Sequence, residues 1–505
     1  MTLNWYLTTS IPYVNGEPHL GHALEFVHAD VIARHLRARG RLVRLQSGTD
    51  DHAIKNVSAA AVADVPVQKF VNFNAQRFEQ LGAALEVQFD EFLRTSADVR
   101  HAPAVRSVWN ACKTAGDLYQ KEYAGRYCSG CENFFSSDEL LDGLCPEHLT
   151  PPLTVSESNW FFRLSKYRDQ ILELIESSAL LIEPKERRNE VLGFLRGEVL
   201  DISVSRPAKR TGGWGIPVPD DPDQVIYVWF DALTNYISGL GFGSNQEEYE
   251  RWWASETERV HIVGKGIVRF HAVYWIAFLL SAGLPLPTRI YVHDYLTVNG
   301  AKISKSGVQT ASPLDLITQY GADALRWWLL SDPARVGTTD FTIDRLVGAY
   351  NRDLANGIGN LVSRTLSLNT REKTWDITVE EPDSNLGQEL LARAATLPAE
   401  IDQWIENYDF RSATQAICEI SDLGNQFIES EAPWQVVKDA ESGSRAAAVR
   451  FESTLDVLQR ACLVAAIELK SFIPSGGHNL EFHLRSGERP PAPVFPRIEK
   501  GARRQ

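Results

Sequence analysis

The sequence predicts an α/β protein, with a parallel nucleotide-binding sheet interrupted by a cysteine-bearing insertion and followed by an all-helical domain. Three observations predict it. The first fifty residues read strand, helix, strand, with histidine-, glycine- and aspartate-rich loops just beyond both strands; this is the order of a parallel unit, whose ligands lie outside the carboxyl ends of the strands. Two short Cys/His pairs break the pattern after residue 116. From about Leu346 to Phe472 the apolar spacing is helical throughout.

Asn4 to Ser10 reads as a first buried strand, and a Pro/Asn/Gly loop leads into a helix from about Gly21 to Arg39. Leu24, Val27, Val31 and Ile32 form the apolar stripe of that helix. Gly40 ends it, Leu42 to Gln46 forms a second strand, and Gly48-Thr-Asp-Asp-His52 lies beyond the carboxyl end of that strand. Residues 116 to 210 mix helix and strand around the cysteines. The α/β pattern resumes at Val225-Ile-Tyr-Val-Trp-Phe230, then at Arg259 to Val263 and Thr288 to Val292. The longest apolar stretch, Ala272 to Leu280, falls well short of the ~20 residues that span a bilayer and reads as a buried helix. A linker near Glu380 to Ser384 breaks the helical region. Ser475 to Gln505, rich in Gly, Pro and Arg, reads as a surface tail.

With 505 residues the chain holds several domains without needing covalent staples. The start, Met1-Thr-Leu-Asn-Trp-Tyr6, has neither the basic opening nor the apolar core of a secretory signal, so a cytoplasmic enzyme with no membrane partner is expected. A net charge of -14 argues against non-specific coating of nucleic acid, though it leaves a local basic binding surface possible. Cys112, Cys418 and Cys462 sit in apolar helical contexts and read as buried thiols.

Two distant segments carry phosphate chemistry. Pro18-His19-Leu20-Gly21-His22 opens the first helix, where unsatisfied N–H groups and the positive dipole end favour an anion. Gly21 lets a nucleotide approach the backbone closely. Lys302-Ile303-Ser304-Lys305-Ser306 follows a strand. Its lysines suit the β- and γ-phosphates, and Ser304 and Ser306 add hydrogen bonds. Activating a carboxylate with a nucleoside triphosphate needs no general base, because the nucleophile is already ionised. Positioning and charge stabilisation suffice. Taken singly, each segment is equally a helix cap or a solvated lysine loop. The two together, in order and context, point to a class I aminoacyl-tRNA synthetase.

Cys128-x2-Cys131 and Cys145-x2-His148, separated by thirteen residues, supply two short ligand pairs that one tetrahedral Zn²⁺ joins. Four protein ligands leave no open position, so the metal is expected to be structural. In the helical region Asn356, Asn360 and Arg364 are four apart and share one helix face, suited both to the edges of unstacked bases and to a solvated polar stripe. Trp434, after Ala432-Pro433, could stack on a base, but on sequence alone it reads first as a core aromatic.

Over nearly its whole length the chain resembles methionyl-tRNA synthetases. Ile11 to His22 and Gly48 to His52 look like that family's first two signatures. Trp160 to Leu164, Asn189 to Leu192, Leu200 to Arg206, Trp214 to Pro217, Tyr227 to Tyr236, Gly264-Lys265, Phe270-His271 and Leu296 to Lys302 follow in the family order. The resemblance implies a Rossmann-type catalytic domain in two halves, 1–115 and 211–295, around a zinc-bearing insertion at 116–210. It also implies a mobile signature and stem-contact region at 296–345, an anticodon-binding helical domain at 346–474 and a tail at 475–505. It implies catalysis by His19, His22, Lys302 and Lys305, with ATP bound by these residues together with Gly21, Ser304 and Ser306. A methionine pocket of Ile11, Tyr13, Asp50, Trp229, Leu233, Tyr236, Ile267 and His271 is implied, with Asp50 on the α-ammonium; without the resemblance, the aromatics and His271 read as core. Asn356, Asn360, Arg364 and Trp434 become the anticodon-binding residues. ATP with Mg²⁺, L-methionine and tRNA(Met) are the implied ligands, and a monomer is expected.

Departures from the family pattern gather near the ATP site: Asp51 for Glu or Ala, Ala53 for Gly, Gly266 where Asp is frequent, Asp294 for Gly, Ile303 for Met, and Gly307-Val308-Gln309 in the loop after the second signature. They leave two alternatives open. One is a repurposed paralogue activating another amino acid. The other is a catalytically weak tRNA-binding protein.

Overall fold

The structure is a computed structural model that describes residues 3–128, 133–135, 139–147, 149–298, 300–302, 312–369 and 384–499. Its contacts divide the chain into two compact units. One comprises residues 1–29, 39–83 and 87–295; the other comprises 30–38, 84–86 and 296–505.

The first unit is built on a six-stranded parallel sheet. Its strands are β1 (Asn4–Thr9), β2 (Val43–Thr49), β3 (Glu91–Arg94), β4 (Leu181–Glu183), β5 (Thr257–Gly264) and β6 (Arg289–His293). They lie in the order β3-β2-β1-β5-β6-β4. The chain moves outward on one side from β1 and on the other from β5, so the topological switch falls between these two. That crevice at their carboxyl ends is where an open α/β sheet binds its ligand. Helix α1 (Leu20–Ala38) starts just past the end of β1, and Leu24, Val27, Val31 and Ile32 are all buried. Gly40, at φ +73°, turns the chain out of it. Glycine is also required at Gly48 in β2, where a Cβ would lie 2.0 Å from the Leu93 carbonyl oxygen of β3.

Two antiparallel sheets interrupt this core. The first, of four strands, has the order Asn133–Phe135, Leu118–Cys128, Leu153–Phe162, Ile202–Ser203, and the second, of three, has the order Pro217–Val218, Asp221–Ile226, Ser205–Pro207. The segment Val225 to Phe230 therefore joins no parallel sheet. Its strand stops at Ile226, and Tyr227, at φ -62° and ψ 135°, opens a helix over Val228–Leu233. An apolar, aromatic run is compatible with either state, and burial on all sides removes the periodicity that would separate them.

The second unit begins with a small sheet in the order Ala301–Lys302, Leu296–Val298, Thr339–Phe341. Helices follow, several with side-chain caps: Ser312 accepts from the Asp315 N–H, and Asp409 from Ser412. A π-helical segment, Tyr350–Ile358, is kinked at Gly357 (φ -85°, ψ -112°) before helix Gly359–Asn369 continues. The kink falls between Asn356 and Asn360, so they do not share the regular four-residue spacing the sequence predicts. Where a surface tail is expected, a helix spans Pro474–Ser486, and Phe495 is buried at 2% exposure. Gly476 and Gly477 permit this packing: a Cβ on Gly477 would sit 2.7 Å from the Lys470 backbone nitrogen, and one on Gly476 would sit 2.4 Å from the Phe495 ring. No helix among the described residues is long and apolar enough to cross a membrane.

Candidate active site

At the mouth of the crevice, the His19 and His22 rings stack with centroids 3.7 Å apart. The His19 N–H donates to His22 Nδ1 at 3.0 Å, and the Gly21 N–H donates to His19 Nδ1 at 3.1 Å. Both rings thus accept at Nδ1, which puts the proton of each neutral imidazole on Nε2. The signature is a pair of oriented N–H donors at a helix start, suited to an anionic oxygen. Gly21 serves the histidines directly, because a Cβ there would meet His19 Cε1 at 3.0 Å.

Just past β2, Asp50 is bridged to Tyr13 and 1% exposed. Its Oδ1 accepts from the His52 N–H at 3.1 Å. Asp51 is committed elsewhere, accepting from Thr49 at 2.8 Å, Ser96 at 2.6 Å and Arg94 at 3.0 Å. The adjacent carboxylates therefore divide into one that accepts from the His52 N–H and one bracing the strand ends. Ala53, N-cap of helix Ile54–Val62, is fully buried at φ -60°, so its methyl is absorbed by the core without backbone strain.

The structure brings several of the expected aromatic residues together. Trp229 lies 6.3 Å from Tyr13 and 6.1 Å from the His271 ring, measured between centroids. One Trp229 face is covered by Phe270, stacked at 3.9 Å. Tyr236 Oη bonds His271 Nε2 at 2.7 Å, while His271 Nδ1 bonds the Ile267 carbonyl at 2.9 Å. Because that carbonyl can only accept, Nδ1 carries the ring proton and the tyrosine hydroxyl donates. Burial pushes the His271 pKa down to about 4, which holds the ring neutral. Leu233 belongs to the fully buried core and Ile267 packs on its edge. Ile11 leans on Gly48, where a Cβ would come within 3.2 Å of Ile11 Cγ2. These side chains are apolar and aromatic, and Asp50 follows β2 at the carboxyl edge of the same sheet, a combination suited to a thioether-bearing amino acid.

Several supporting groups were not legible in the sequence. Asp231, one residue past Phe230 and 1% exposed, accepts from His52 Nδ1 at 2.7 Å and from His101 Nε2 at 2.6 Å. Burial alone would raise the Asp231 pKa, but the charge of His52 and the bond from His101 hold it well below the carboxylate range. Burial works to lower the His52 pKa, and the charge of Asp231 overrides it and raises the pKa. Glu25 on α1 accepts from the Ser10 N–H at 2.8 Å and from His293 at 2.9 Å, tying β1, α1 and β6 together at their carboxyl edge. Asp231 lies inside the quoted segment Tyr227 to Tyr236, a usable signal. The partners of Glu25 lie up to 268 residues away and leave none.

Two departures prove to be neighbours. A Cβ on Gly266 would stand 2.1 Å from Tyr295 Oη, and Asp294, just before that tyrosine, contacts Lys265. In the second signature, the backbone of Lys302 closes strand Ala301–Lys302; Ser304, Lys305 and Ser306, like Ile303 and Gly307 to Gln309, lie outside the described residues.

Of the expected metal ligands, Cys128 and Cys145 are 2% and 0% exposed and share one small cluster with Phe135 and Leu140. Two buried thiols brought together fit a thiolate-binding metal. Cys131 and His148 lie outside the described residues, and no complete ligand set occurs among the described ones.

In the helical unit, Asn356 and Asn360 are exposed. The Arg364 guanidinium lies 5.7 Å from the Trp434 ring centre, and it bonds Asn425 at 3.2 Å and Glu429 at 2.6 Å. Arg364 and Trp434 line one pocket of about 360 Å³ with Ser363, Ser367, Leu368, Ile428 and Arg489. Trp434 is half-buried at this pocket and not a core aromatic.

Comparisons with known proteins agree with this layout. The family described as tRNA synthetases class I (M) matches residues 5–151 and 148–366, and the anticodon binding domain of methionyl tRNA ligase matches 378–490. A methionine–tRNA ligase of Mycobacterium bovis is 37% identical over 98% of this chain and 98% of its own length. One from Thermotoga maritima is 38% identical over 86% of this chain and 69% of its own. The structure of Mycobacterium tuberculosis methionyl-tRNA synthetase in complex with methionyl-adenylate superimposes with a TM-score of 0.90 at 36% identity, covering 98% of this chain and 100% of that one.

Proposed function

The chain belongs to the methionyl branch of the class I tRNA synthetases, and on that premise we propose that it activates L-methionine with ATP and transfers the product to tRNA(Met). The observation that carries the reading is the neutral Tyr236–His271 pair in an aromatic pocket at the sheet's topological switch, next to Asp50 and the two stacked histidines. Asp50 holds the methionine ammonium, and Ile11, Tyr13, Trp229, Leu233, Tyr236, Ile267 and His271 surround the thioether side chain. The methionine carboxylate attacks the α-phosphorus of ATP; a C–O–P bond forms, the bond to the bridging oxygen breaks, and pyrophosphate leaves with the electron pair. His19 and His22 give their Nε2–H groups to phosphate oxygens, with Gly21 keeping both rings in place. Lys302 and Lys305 neutralise the departing pyrophosphate, and Ser304 and Ser306 orient it. Mg²⁺ bound with ATP would add charge neutralisation there. Transfer to the 3′-terminal adenosine then forms an ester and releases AMP.

Residues Arg364 and Trp434 read an anticodon base in their pocket, with Asn356 and Asn360 on the exposed approach. Cys128, Cys131, Cys145 and His148 hold one structural Zn²⁺ in the insertion. The reading divides the chain at 1–115, 116–210, 211–295, 296–345, 346–474 and 475–505, and places it as a monomer in the cytoplasm. A repurposed paralogue is not favoured, because the relatives matched over almost the whole chain are methionine–tRNA ligases. The test is ATP–pyrophosphate exchange screened across all amino acids. Exchange should depend on methionine alone and fall ~10²- to 10³-fold in Lys305→Ala. Exchange driven by another amino acid, or undiminished by that substitution, would contradict the reading.

A further inference from the structure

Lys265 and Asp294, the first residues past β5 and β6, meet Arg187, from the first turn of the helix Lys185–Arg196 that follows β4, in a single cluster. Asp294, whose side chain is 3% exposed, accepts from Arg187 Nη2 on both carboxylate oxygens, at 2.7 and 3.0 Å. Lys265 Nζ stands 3.7 Å from the same carboxylate and 4.5 Å from the centre of the Tyr295 ring. Tyr295 can lie there only because residue 266 has no Cβ. The two cations are not equivalent. Arg187 is answered by Asp294 at short range and by Glu190 at 2.8 Å. Lys265 has only the longer contact to an already shared carboxylate, and its side chain is 27% exposed against 17% for Arg187. Arg187 draws on two carboxylates at short range and Lys265 on one at long range, so Lys265 is the more weakly held of the two cations.

Lys265 follows directly on β5, the strand next to the switch point, and precedes Ile267 and His271 of the pocket. A lysine held by one long, shared ion-pair contact and an aromatic face is oriented yet weakly held, and can be drawn to a stronger anion. We propose that Lys265 is a further nucleotide-binding residue that offers its ammonium to a phosphate of ATP, and that Asp294 and Tyr295, lying across Gly266, are the positioning residues that aim it. The proposal rests on the reading of this crevice as the adenylation site. It also gives the departures at 266 and 294 one shared purpose: a glycine opens the space into which the tyrosine beside Asp294 packs.

The test is steady-state ATP–pyrophosphate exchange on the full chain, with KM measured separately for ATP and methionine. Lys265→Met should raise the ATP KM about ten- to a hundredfold, the range expected for losing a charge-assisted contact, and leave the methionine KM within about twofold. Lys265→Arg should keep most of the affinity. Asp294→Asn should raise the ATP KM by a smaller factor, and the double variant should be no worse than Lys265→Met alone, because both act through one ammonium. An unchanged ATP KM in Lys265→Met would overturn the inference, as would an equal rise in both KM values. Additive effects in the double variant would overturn the positioning role. Thermal unfolding of each variant separates these effects from misfolding. A wild-type chain without methionine-dependent exchange would overturn the parent reading and this inference with it, whereas a normal wild type with an indifferent Lys265→Met overturns the inference alone.

Discussion

The aromatic cluster of the first unit and the pocket of the helical unit solve opposite problems. In the first, His271 is fixed between a hydroxyl and a carbonyl, and Asp231 is gripped by two histidines, all of these side chains at about 1% exposure or less except His52. In the second, Arg364 is tied to Glu429, whose side chain is 63% exposed, and Asn356 and Asn360 face solvent. A small substrate gains from donors and acceptors set before it arrives, since no reorganisation is then charged to the reaction. A macromolecular partner gains from side chains held only by exposed pairs worth ~0–1 kcal/mol, which can be released when it docks.

The largest effect that would break this contrast is on stability. Asp231→Asn leaves His52 and His101 facing a neutral amide and should cost ~3–5 kcal/mol in urea unfolding, whereas Glu429→Gln should cost less than ~1 kcal/mol. Equal losses would mean that the two networks are not different in kind. Next, His22→Ala should lower kcat for exchange ~10²- to 10³-fold with a near-normal melting temperature, as expected for a donor acting in the transition state. Trp434→Ala should leave exchange untouched and reduce charging efficiency with tRNA ~5- to 100-fold, the range of one base-aromatic stack. A change in exchange would show that this pocket is not confined to the nucleic-acid step. The smallest effect concerns pH. His271 has a depressed pKa of about 4 against an ordinary 6.5, so between those values the unfolded chain binds more protons than the folded one. The stability from the neutral ring is complete above pH 6.5 and is lost as pH falls toward 4. Methionine KM should accordingly show no inflection at 6 to 7 that Tyr236→Phe abolishes.

Local patterns made much of the first unit legible. The apolar stripe of α1, the glycine ending it, and the loops beyond β1 and β2 mark out His19, His22 and Asp50 by local pattern alone. Resemblance supplied the aromatic pocket, since burial of Trp229, Tyr236 and His271 has no distinctive spacing. Periodicity failed where packing surrounds a segment: Val228–Leu233 is a helix inside a run that equally suits a strand. It failed again at Gly357, where a single glycine shifts the helix axis between Asn356 and Asn360. Long-range polar partners such as Asp231 with His101, 130 residues apart, are products of the fold and have no local signature.

The final segment carries a practical consequence for anyone altering the end of the chain. Phe495 rests on Gly359 and Gly476, where added Cβ atoms would come within 3.0 and 2.4 Å of its ring, and Asn351 both donates to and accepts from the Ile498 backbone. This strap closes over the kinked segment that carries Asn356. A truncation before Phe495 should therefore loosen anticodon reading while sparing adenylate formation, and an affinity tag is best attached after Ile498.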